Sequence, residues 1–394
     1  MTLLYSTFAA TPNYTKGRLY HERESSYKDA FLIDYEKIIR SNSFRRLQYK
    51  TQVLINHAGD HFRNRMTHSI EVASIASIIS KNLNISSKLA ENISLCHDIG
   101  HPPFGHTGEK ALNQCIQSYG GFCHNAHAIK ILTEIDCSPG NAKGLNLTWE
   151  TLEGVAKHNG PLSGNINNVI ANYNSFHNLH LNKYPSLEAQ VSAISDDITY
   201  YCHDIEDGIQ VGYFTIDEIL DVPIIAKAYS LINHSKDTLP CSSKNTVTLL
   251  TQYLADILLS DVLENTKHNL MHNKIETQED IANAKSILAT FSNELKNDII
   301  LLRKFLFQHF YHNHKRYVTV YKCTKIINSL FELYMNDPKC MPLNWQARIT
   351  GNKHNNINKD VSHDALESVV CDYIACMTDR YAIKAFNAFC KVEF

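Results

Sequence analysis

The sequence predicts an all-α protein, and three observations support this fold class. Apolar residues recur at helical spacing in nearly every segment of the 394-residue chain, strand patterns are sparse, and neither an internal repeat nor a low-complexity tract interrupts the pattern. The chain is long enough for a large core or two packed subdomains. Because no linker separates an independent domain, we expect one helical globule with a core at about 60–210 and a C-terminal half at about 211–394.

Four helices are predicted in the first half of the chain. MTHSIEVASIASIISKNLNI (66–85) carries apolar residues at helical spacing, and SSKLAENISLCHDIG (86–100) repeats the pattern and stops at Gly100. TGEKALNQCIQSYGG (107–121) starts a third helix, with Thr107 as its predicted N-cap residue and Gly120 at its end. SLEAQVSAISDDITYYCHDIEDGIQVG (186–212) predicts a fourth, long helix.

The remaining segments are also mostly helical by pattern. The stretch 159–185 is rich in Asn, Gly and His and is predicted to be a loop beside the active region. Helices are predicted within 246–263, 279–307 and 364–389. HKRYVTVYK (314–322) is a single strand candidate, on which no sheet can be built.

Composition excludes several classes of protein. The net charge of −2 gives no global basic field for nucleic acid. The eleven cysteines are single, without a CxxC pair, which is typical of free thiols in a reducing compartment. We expect no signal peptide and no membrane span, because no charged start precedes an apolar run and no stretch approaches eighteen apolar residues. These features predict a cytoplasmic protein without a membrane partner.

Histidines and carboxylates crowd the stretch CHDIGHPPFGHTGE (96–109). His97 and Asp98 are neighbours at a predicted helix end, so both can reach one ion lying over that edge. His68 from the preceding helix and Asp196 from a later one complete a set of two imidazoles and two carboxylates. This donor mix suits Mn²⁺, Fe²⁺ or Ni²⁺, and Mg²⁺ less readily, because Mg²⁺ prefers oxygen ligands.

Two interpretations of this set are open from the residues alone. An isolated His-Asp doublet more often ends an ordinary helix, where a histidine is favourable at the C-terminus. Four protein ligands around an octahedral ion would instead leave positions for water and a phosphate oxygen, as metal-assisted hydrolysis requires. The complete set, at separations compatible with three helices, favours the metal site.

The ordered set His68, His97-Asp98 and Asp196 resembles that of the HD-domain phosphohydrolases, and the wider sequence is similar to deoxyguanosinetriphosphate triphosphohydrolase (dGTPase) and dGTPase-like proteins. The matching stretches run in order from about 41 to the last helix: SNSFRRLQYKTQV, GDHFRNRMTHSIEVA, HDIGHPPFGHTGEKALN, GGFCHNAH, GLNLTWETLEGVAKHNGP, SLEAQVSAISDDITYYCHDIEDG and DYIACMTDRYA. HPPFGHTGE and KHNGP are highly specific, whereas a bare HD is not. The resemblance implies a helical HD catalytic core at about 60–210 with additional C-terminal helices.

The resemblance also implies the metal and catalytic residues. His68, His97, Asp98 and Asp196 match the four metal ligands, Asp196 being preferred to the adjacent aspartate. The expected ion is Mg²⁺ or Mn²⁺, with Fe²⁺ and Ni²⁺ as alternatives.

His106 and Glu109 match a catalytic pair. A glutamate three residues after a histidine can hold its second ring nitrogen and raise its basicity for proton transfer. His101 and His124 match positions near the triphosphate.

Four further residues match substrate contacts. Arg65 falls at the position of a phosphate-binding arginine, and Gln52, Tyr200 and Asp204 match positions that recognise the sugar. Tyr200 and Asp204 share a helix face and can hydrogen-bond a 3′-hydroxyl. Without the resemblance, Tyr200 is equally an ordinary core aromatic and Asp204 a surface carboxylate.

One motif departs from the family pattern. The family commonly has His-Asn-x-Gln where this chain has HNAH, so His127 replaces the amide, which puts the local geometry and base choice in question. The basic residues Arg303, Lys304, Lys315 and Arg316 could bind a triphosphate or an allosteric nucleotide, although a solvated face explains them more simply.

The resemblance implies hydrolysis of deoxynucleoside triphosphates (dNTPs) to deoxynucleoside and tripolyphosphate. Its rivals are another HD-type nucleotidase or phosphodiesterase, and a protein that binds nucleotides or single-stranded nucleic acid with residual hydrolysis. Further expected partners are an activating dNTP at a second site and other copies of the chain in a homo-oligomer.

Overall fold

The protein is all-α, as predicted. The computed structural model describes residues 5–23, 25–52, 63–137, 143–164, 166–234, 243–312, 314–349 and 363–390. Within those ranges it has eighteen α-helices and no strand, and its only β pairing consists of isolated bridges such as that between Thr51 and Asn64. His57 and His61, two further histidines before His68, lie outside the described residues.

The helices follow one another with short connections. The first nine are α1 (Ala30–Arg40), α2 (Asn42–Arg46), α3 (Arg65–Asn82), α4 (Ser87–Cys96), α5 (Gly105–Cys115), α6 (His124–Lys130), α7 (Trp149–Ala156), α8 (Asn168–Phe176) and α9 (Leu187–Gln210). The others are α10 (Ile216–Ile219), α11 (Pro223–His234), α12 (Ser243–His272), α13 (Gln278–Ala282), α14 (Asn293–Leu306), α15 (His314–Asn336), α16 (Leu343–Ile349), α17 (His363–Ala375) and α18 (Asp379–Cys390).

Three predictions of local structure are wrong, two in the first half of the chain and one at 314–322. The predicted loop at 159–185 contains α8, and the strand candidate 314–322 lies in α15. Cys323, Ile327, Leu330 and Tyr334 of α15 are buried at helical spacing, so tertiary packing overrides the local β-propensity. The third predicted helix begins at Gly105 rather than after Thr107, with Phe104 at the N-cap position.

Two predicted C-terminal helices are each divided. The stretch 279–307 forms α13 and α14, because Ser292 caps a new helix by accepting a hydrogen bond from the Leu295 N–H at 3.2 Å. The stretch 364–389 forms α17 and α18, where the Thr378 hydroxyl accepts from the Tyr381 N–H at 3.2 Å. In both cases a short polar side chain caps a new helix within a stretch whose apolar spacing predicts one continuous helix.

The centre of the fold is the meeting of α3, α4 and α9, which pack against one another. Val72, Ala76 and Ile79 of α3 are fully buried because helices cover α3 on more than one side. Helices α11 and α12 extend this packing beyond α9, and α1, α6 and α7 extend it beyond α4. The chain thereby holds the residues after α4 and the middle of α9 close to the first turn of α3.

The C-terminal helices pack on α5 rather than forming a separate body. Helices α15, α17 and α18 share one apolar cluster with α5, in which Leu112 of α5 and Ile327 of α15 are fully buried. This contact brings C-terminal residues to the turn between α4 and α5. The proposed boundary at about 210 is not tested by this packing and stays a prediction.

One helix passes a simple test for a membrane span. The segment Asn245–His272 of α12 is long enough, and apolar enough at a mean hydropathy of 1.3, to cross a bilayer. Core helices pass the same test, and Leu250, Leu254 and Leu258 of α12 are fully buried. The observation is therefore weak evidence for a span.

The start of α3 is fixed by a capping box. The Asn64 side chain accepts from the Thr67 N–H at 3.0 Å, and the Thr67 hydroxyl accepts from the Asn64 N–H at 3.2 Å. This cap sets where the first turn of α3 begins, and therefore where Arg65 and His68 lie.

We predict that Asn64→Ala lowers the free energy of unfolding by about 1 kcal/mol, because the cap loses its acceptor. Urea denaturation measures the change, and Asn64→Asp, which keeps an acceptor, serves as the matched control. Equal losses in both variants would contradict the capping role.

Candidate active site

The four predicted metal ligands converge where α3, α4 and α9 meet. His68 lies in the first turn of α3, His97 and Asp98 follow the end of α4, and Asp196 lies in the middle of α9. Ligand atoms of His68, His97 and Asp98 all lie within 4.8 Å of one another. Asp196 Oδ1 is 2.9 Å from His68 Nε2 and 3.6 Å from His97 Nε2. The structure thus places all four side chains around one point.

His97 offers a nitrogen suited to a metal ion. Its Nδ1 donates to the Ser94 carbonyl at 2.6 Å, so the neutral ring carries its proton there and its lone pair on Nε2. Nε2 is buried and has no hydrogen-bond partner among the described residues. A buried acceptor without a partner is unfavourable, whereas coordination to a cation would satisfy it. Two imidazoles and two carboxylates therefore fit a divalent ion.

Neighbouring charged and hydrogen-bonding groups keep the two aspartates anionic. Burial favours the neutral acid, but Arg65, His97 and His101 hold the pKa of Asp98 well below its usual range. The Arg65 guanidinium lies 2.8 Å from Asp98 Oδ2. For Asp196, burial is likewise outweighed by the surrounding histidines, and its pKa is also held well below the usual range. Both side chains are therefore carboxylates at neutral pH.

A second cluster is organised by Glu109. Its Oε2 is 3.2 Å from His106 Nδ1, and its Oε1 accepts from His124 Nδ1 at 2.7 Å and from the His124 N–H at 2.9 Å. The His101 ring stacks on His124 with centroids 3.9 Å apart. Although burial opposes it, hydrogen bonding to His106 and His124 lowers the pKa of Glu109. The carboxylate thus holds Nδ1 of the exposed His106 and leaves its Nε2 available for proton transfer.

The turn between α4 and α5 requires unusual backbone conformations. Gly105 has φ +56°, and a Cβ there would lie 2.6 Å from Arg65 Nη2, so a side chain would displace the arginine. Phe104 is also left-handed, with φ 66°, and its N–H donates to Asp379 Oδ1 at 2.9 Å. Asp379 of α18 also accepts from the Thr51 N–H at 3.0 Å. One C-terminal carboxylate therefore fixes this turn and the chain segment before Gln52.

A cavity of about 300 Å³ adjoins the cluster of His68, His97, Asp98 and Asp196. Arg65 and Asp196 line it together with three other predicted site residues, Gln52, His106 and Tyr200. Its remaining lining includes Phe104, Asp197, Tyr311, Arg316, Thr319 and Cys323. Residues before α3, at the start of α5, in α9 and in α15 therefore share one space.

Asp204 does not line this cavity, although it is predicted to contact the sugar. Its side chain is fully buried, and the Tyr311 phenol donates to its Oδ2, while the Tyr200 phenol donates to Tyr311. Tyr311 ends a π-helical turn, Phe307–Tyr311, a feature frequent at functional sites. Tyr200 and Tyr311 therefore face the cavity, and Asp204 lies behind them.

His127, which replaces the family's usual glutamine in the HNAH motif, lies away from the cavity. Its Nδ1 donates to the Gly100 carbonyl at 2.9 Å, and burial lowers its pKa to about 3, so the ring is neutral. It lines a separate groove of about 780 Å³ that contains none of the predicted site residues. His127 thus supplies an N–H to the backbone after Asp98, as an amide side chain can also do.

The basic C-terminal residues divide between two environments. Arg316 lines the cavity, with its guanidinium 4.5 Å from the centroid of the Tyr311 ring. Arg303 is 57% exposed and lies 3.5 Å from Asp197, while Lys304 is exposed. The side chain of Lys315 lies outside the described residues.

Comparison with known proteins supports the resemblance. The HD domain model matches residues 65–201, and the phosphohydrolase-associated domain model matches residues 289–388. The deoxyguanosinetriphosphate triphosphohydrolase-like protein of Rickettsia bellii is 41% identical over 392 residues, which cover 99% of each chain. The protein of the same description from Rickettsia canadensis is 42% identical over 388 residues, covering 98% of this chain and 100% of its own.

The chain belongs to the dGTPase-like family of HD-domain phosphohydrolases. HD domains bind divalent metal ions, and the cluster around His97 could hold one. A solved structure of a hypothetical protein from Aquifex aeolicus matches at 18% identity over 72% of each chain, but its TM-score of 0.30 supports no inference.

Three residues of this dGTPase-like protein lie at the site without an expected role. His158 of the KHNGP motif stacks on His97 with centroids 5.3 Å apart, and its Nε2 is 3.6 Å from Asp196 Oδ2. The specific KHNGP motif was the sequence signal that could have identified His158 as a site residue. Asp379 lies in the matching stretch DYIACMTDRYA, but nothing local connects it to Thr51. Tyr311 has no sequence signal, because only the tertiary fold brings it to α9.

We predict that Asp204 makes stability depend on pH. Burial raises its pKa from 3.8 to about 7, so the folded state retains a proton that the unfolded chain releases between about pH 4 and 7. The free energy of unfolding of the wild type therefore decreases as the pH rises through this window. Relative to wild type, Asp204→Asn should gain roughly 2–4 kcal/mol more at pH 8 than at pH 4.

Urea denaturation at both pH values measures this difference, with the exposed Asp221→Asn as the matched control. The same gain for Asp204→Asn at both pH values would contradict the raised pKa.

Proposed function

We propose that this phosphohydrolase cleaves dNTPs at the α-phosphorus, releasing deoxynucleoside and tripolyphosphate. The observation that carries the proposal is the cavity of about 300 Å³, which joins the metal ligand Asp196 to Arg65, His106, Tyr200 and Gln52. The family's match to dGTPase-like proteins supports the same substrate class.

The reaction needs a cation at the four-ligand cluster. His68 and His97 through their Nε2 atoms, with Asp98 and Asp196, would hold it. A divalent ion there supplies Lewis-acid activation of water and of the phosphoryl group. The buried, already ionised carboxylates favour such an ion because they need not lose protons when it binds.

His106 is the group best suited to proton transfer. Glu109 holds its Nδ1 at 3.2 Å, so Nε2 is free to accept or donate a proton at the reacting oxygen. The side chain of His106 is 75% exposed, which keeps that nitrogen accessible from the cavity. Glu109 is itself fixed by His124, and this limits the movement of the pair.

Cationic groups can stabilise the triphosphate chain, which becomes the tripolyphosphate product, while the 5′-oxygen of the deoxynucleoside leaves. Arg65 and Arg316 both line the cavity, and the stacked His101 and His124 lie beside His106. Positive charge already in place costs no reorganisation when negative charge develops on the α-phosphoryl oxygens.

Tyr200 and Tyr311 are suited to the sugar. Tyr200 can pack against a deoxyribose so that a 2′-hydroxyl is sterically disfavoured, and Gln52 can hydrogen-bond from another part of the cavity wall. Asp204 would orient the phenol of Tyr311 from behind. This arrangement favours deoxynucleotides over ribonucleotides.

We predict that the full chain with Mn²⁺ converts a dNTP to deoxynucleoside and tripolyphosphate. Ion-exchange separation of the products, across all four dNTPs and with or without a second dNTP, measures the reaction. Release of orthophosphate or pyrophosphate without tripolyphosphate would contradict the proposed cleavage of the bond between the α-phosphorus and the 5′-oxygen. Orthophosphate from nucleoside monophosphates would favour a nucleotidase instead.

We predict that His106→Ala lowers kcat by about 10²- to 10⁴-fold, because proton transfer at the reacting oxygen is lost. Mn²⁺ affinity should stay unchanged, since His106 is outside the ligand set. Steady-state kinetics and Mn²⁺ titration give the two values, and His272→Ala, an exposed histidine on α12, is the matched control. An unchanged kcat would exclude the proton-transfer role.

A further inference from the structure

His68 has a second contact that the proposed chemistry does not use. Its Nε2 faces Asp196, and its Nδ1 lies 3.3 Å from Nδ1 of His203 on α9. His203 is 3% exposed, and the two ring centroids are 5.3 Å apart. Asp196 and His203 are therefore on the same helix but contact opposite nitrogens of one imidazole.

The proton positions in this contact follow from metal binding. If Nε2 of His68 is a metal ligand, the neutral ring carries its only N–H on Nδ1. Nδ1 of His203 must then accept that hydrogen, because two donors cannot form the contact. His203 consequently carries its own N–H on Nε2.

The contact of His203 Nε2 agrees with a proton on that nitrogen. Its Nε2 lies 2.6 Å from Glu71 Oε2, where an N–H donates to a carboxylate. Arg63 pairs with Glu71 at 3.5 Å and with Glu206 at 2.5 Å, so the carboxylate has a nearby cation. When a cation satisfies His68 Nε2 and Asp196 Oδ1, a single set of tautomers satisfies every contact from Glu71 to His68.

We propose that His203, oriented by Glu71, is a positioning residue that fixes the tautomer and orientation of His68 for metal binding. Carboxylates and carbonyls that hold a ligand histidine raise its basicity and set its ring orientation. Here a second histidine lies between the carboxylate and the ligand. The inference rests on the metal centre of the proposed function, but not on the identity of the substrate.

Metal affinity of the full chain tests the proposal. Electron paramagnetic resonance of free Mn²⁺ during titration gives the dissociation constant of the wild type and each variant. His203→Phe keeps an aromatic ring but removes the acceptor, and we expect Mn²⁺ affinity to fall about 10- to 100-fold. In His203→Asn the amide oxygen can take the place of Nδ1 and accept from His68, so most of the lost affinity should return.

Two carboxylate variants provide a matched pair. Glu71→Gln weakens the acceptor for His203 and should lower Mn²⁺ affinity several-fold, whereas Glu206→Gln loses its ion pair with Arg63 but leaves His203 untouched and should bind as wild type. Because Glu71 is 46% exposed, its substitution tests the proposal even if His203→Phe does not fold. Thermal unfolding of each metal-free variant separates folding from metal affinity.

Each outcome has a definite meaning. Wild-type affinity in His203→Phe, equal losses in the Asn and Phe variants, or equal effects of Glu71→Gln and Glu206→Gln would overturn the positioning role. A wild-type chain that does not bind Mn²⁺ would overturn the metal centre and the proposed function together. Normal Mn²⁺ binding without dNTP hydrolysis would instead contradict only the proposed substrate and would leave the positioning role of His203 unaffected.

Discussion

The ion pair between Arg65 and Asp98 is the interaction on which the site depends. Both residues are almost fully buried, at 1% and 4% exposure, and a buried charge is tolerated only when it is paired and hydrogen-bonded. The same carboxylate also lies 3.2 Å from His101 Nε2 and 3.6 Å from His97 Nε2. The first turn of α3 and the turn after α4 therefore cannot move independently. Gly105 belongs to this constraint, because only a residue without Cβ leaves room for the guanidinium.

The histidines of the site form two groups, and each group is held by different carboxylates. Asp98 and Asp196 hold histidine nitrogens around one point, while Glu109 gathers His106 and His124 a short distance along the chain. The two groups are joined by the turn between α4 and α5. This turn therefore sets the separation between the four-residue cluster and His106, which is the distance that the proposed hydrolysis would depend on.

The sequence predicted the fold class and the core helices because periodicity is a local property, and it predicted the convergence of His68, His97, Asp98 and Asp196 through the resemblance to HD-domain proteins. It failed where distant segments meet. The position of Tyr311 between Tyr200 and Asp204 depends on how the turn after α14 packs on α9, and the contact of Asp379 with Thr51 joins residues 328 positions apart. Likewise, α15 is helical because its buried face packs on α5 and α17, although 314–322 is rich in β-branched and aromatic residues.

Part of the cavity wall comes from a different region of the chain than the four candidate metal ligands. All four ligands lie in or beside α3, α4 and α9, whereas Tyr311 and Arg316 come from segments after α14. Substitutions at Tyr311 or Arg316 would therefore change the cavity wall without changing the four side chains of the cluster. A fragment ending after α9 would contain all four candidate ligands, Gln52 and Tyr200, but it would lack Tyr311 and Arg316 of the cavity wall.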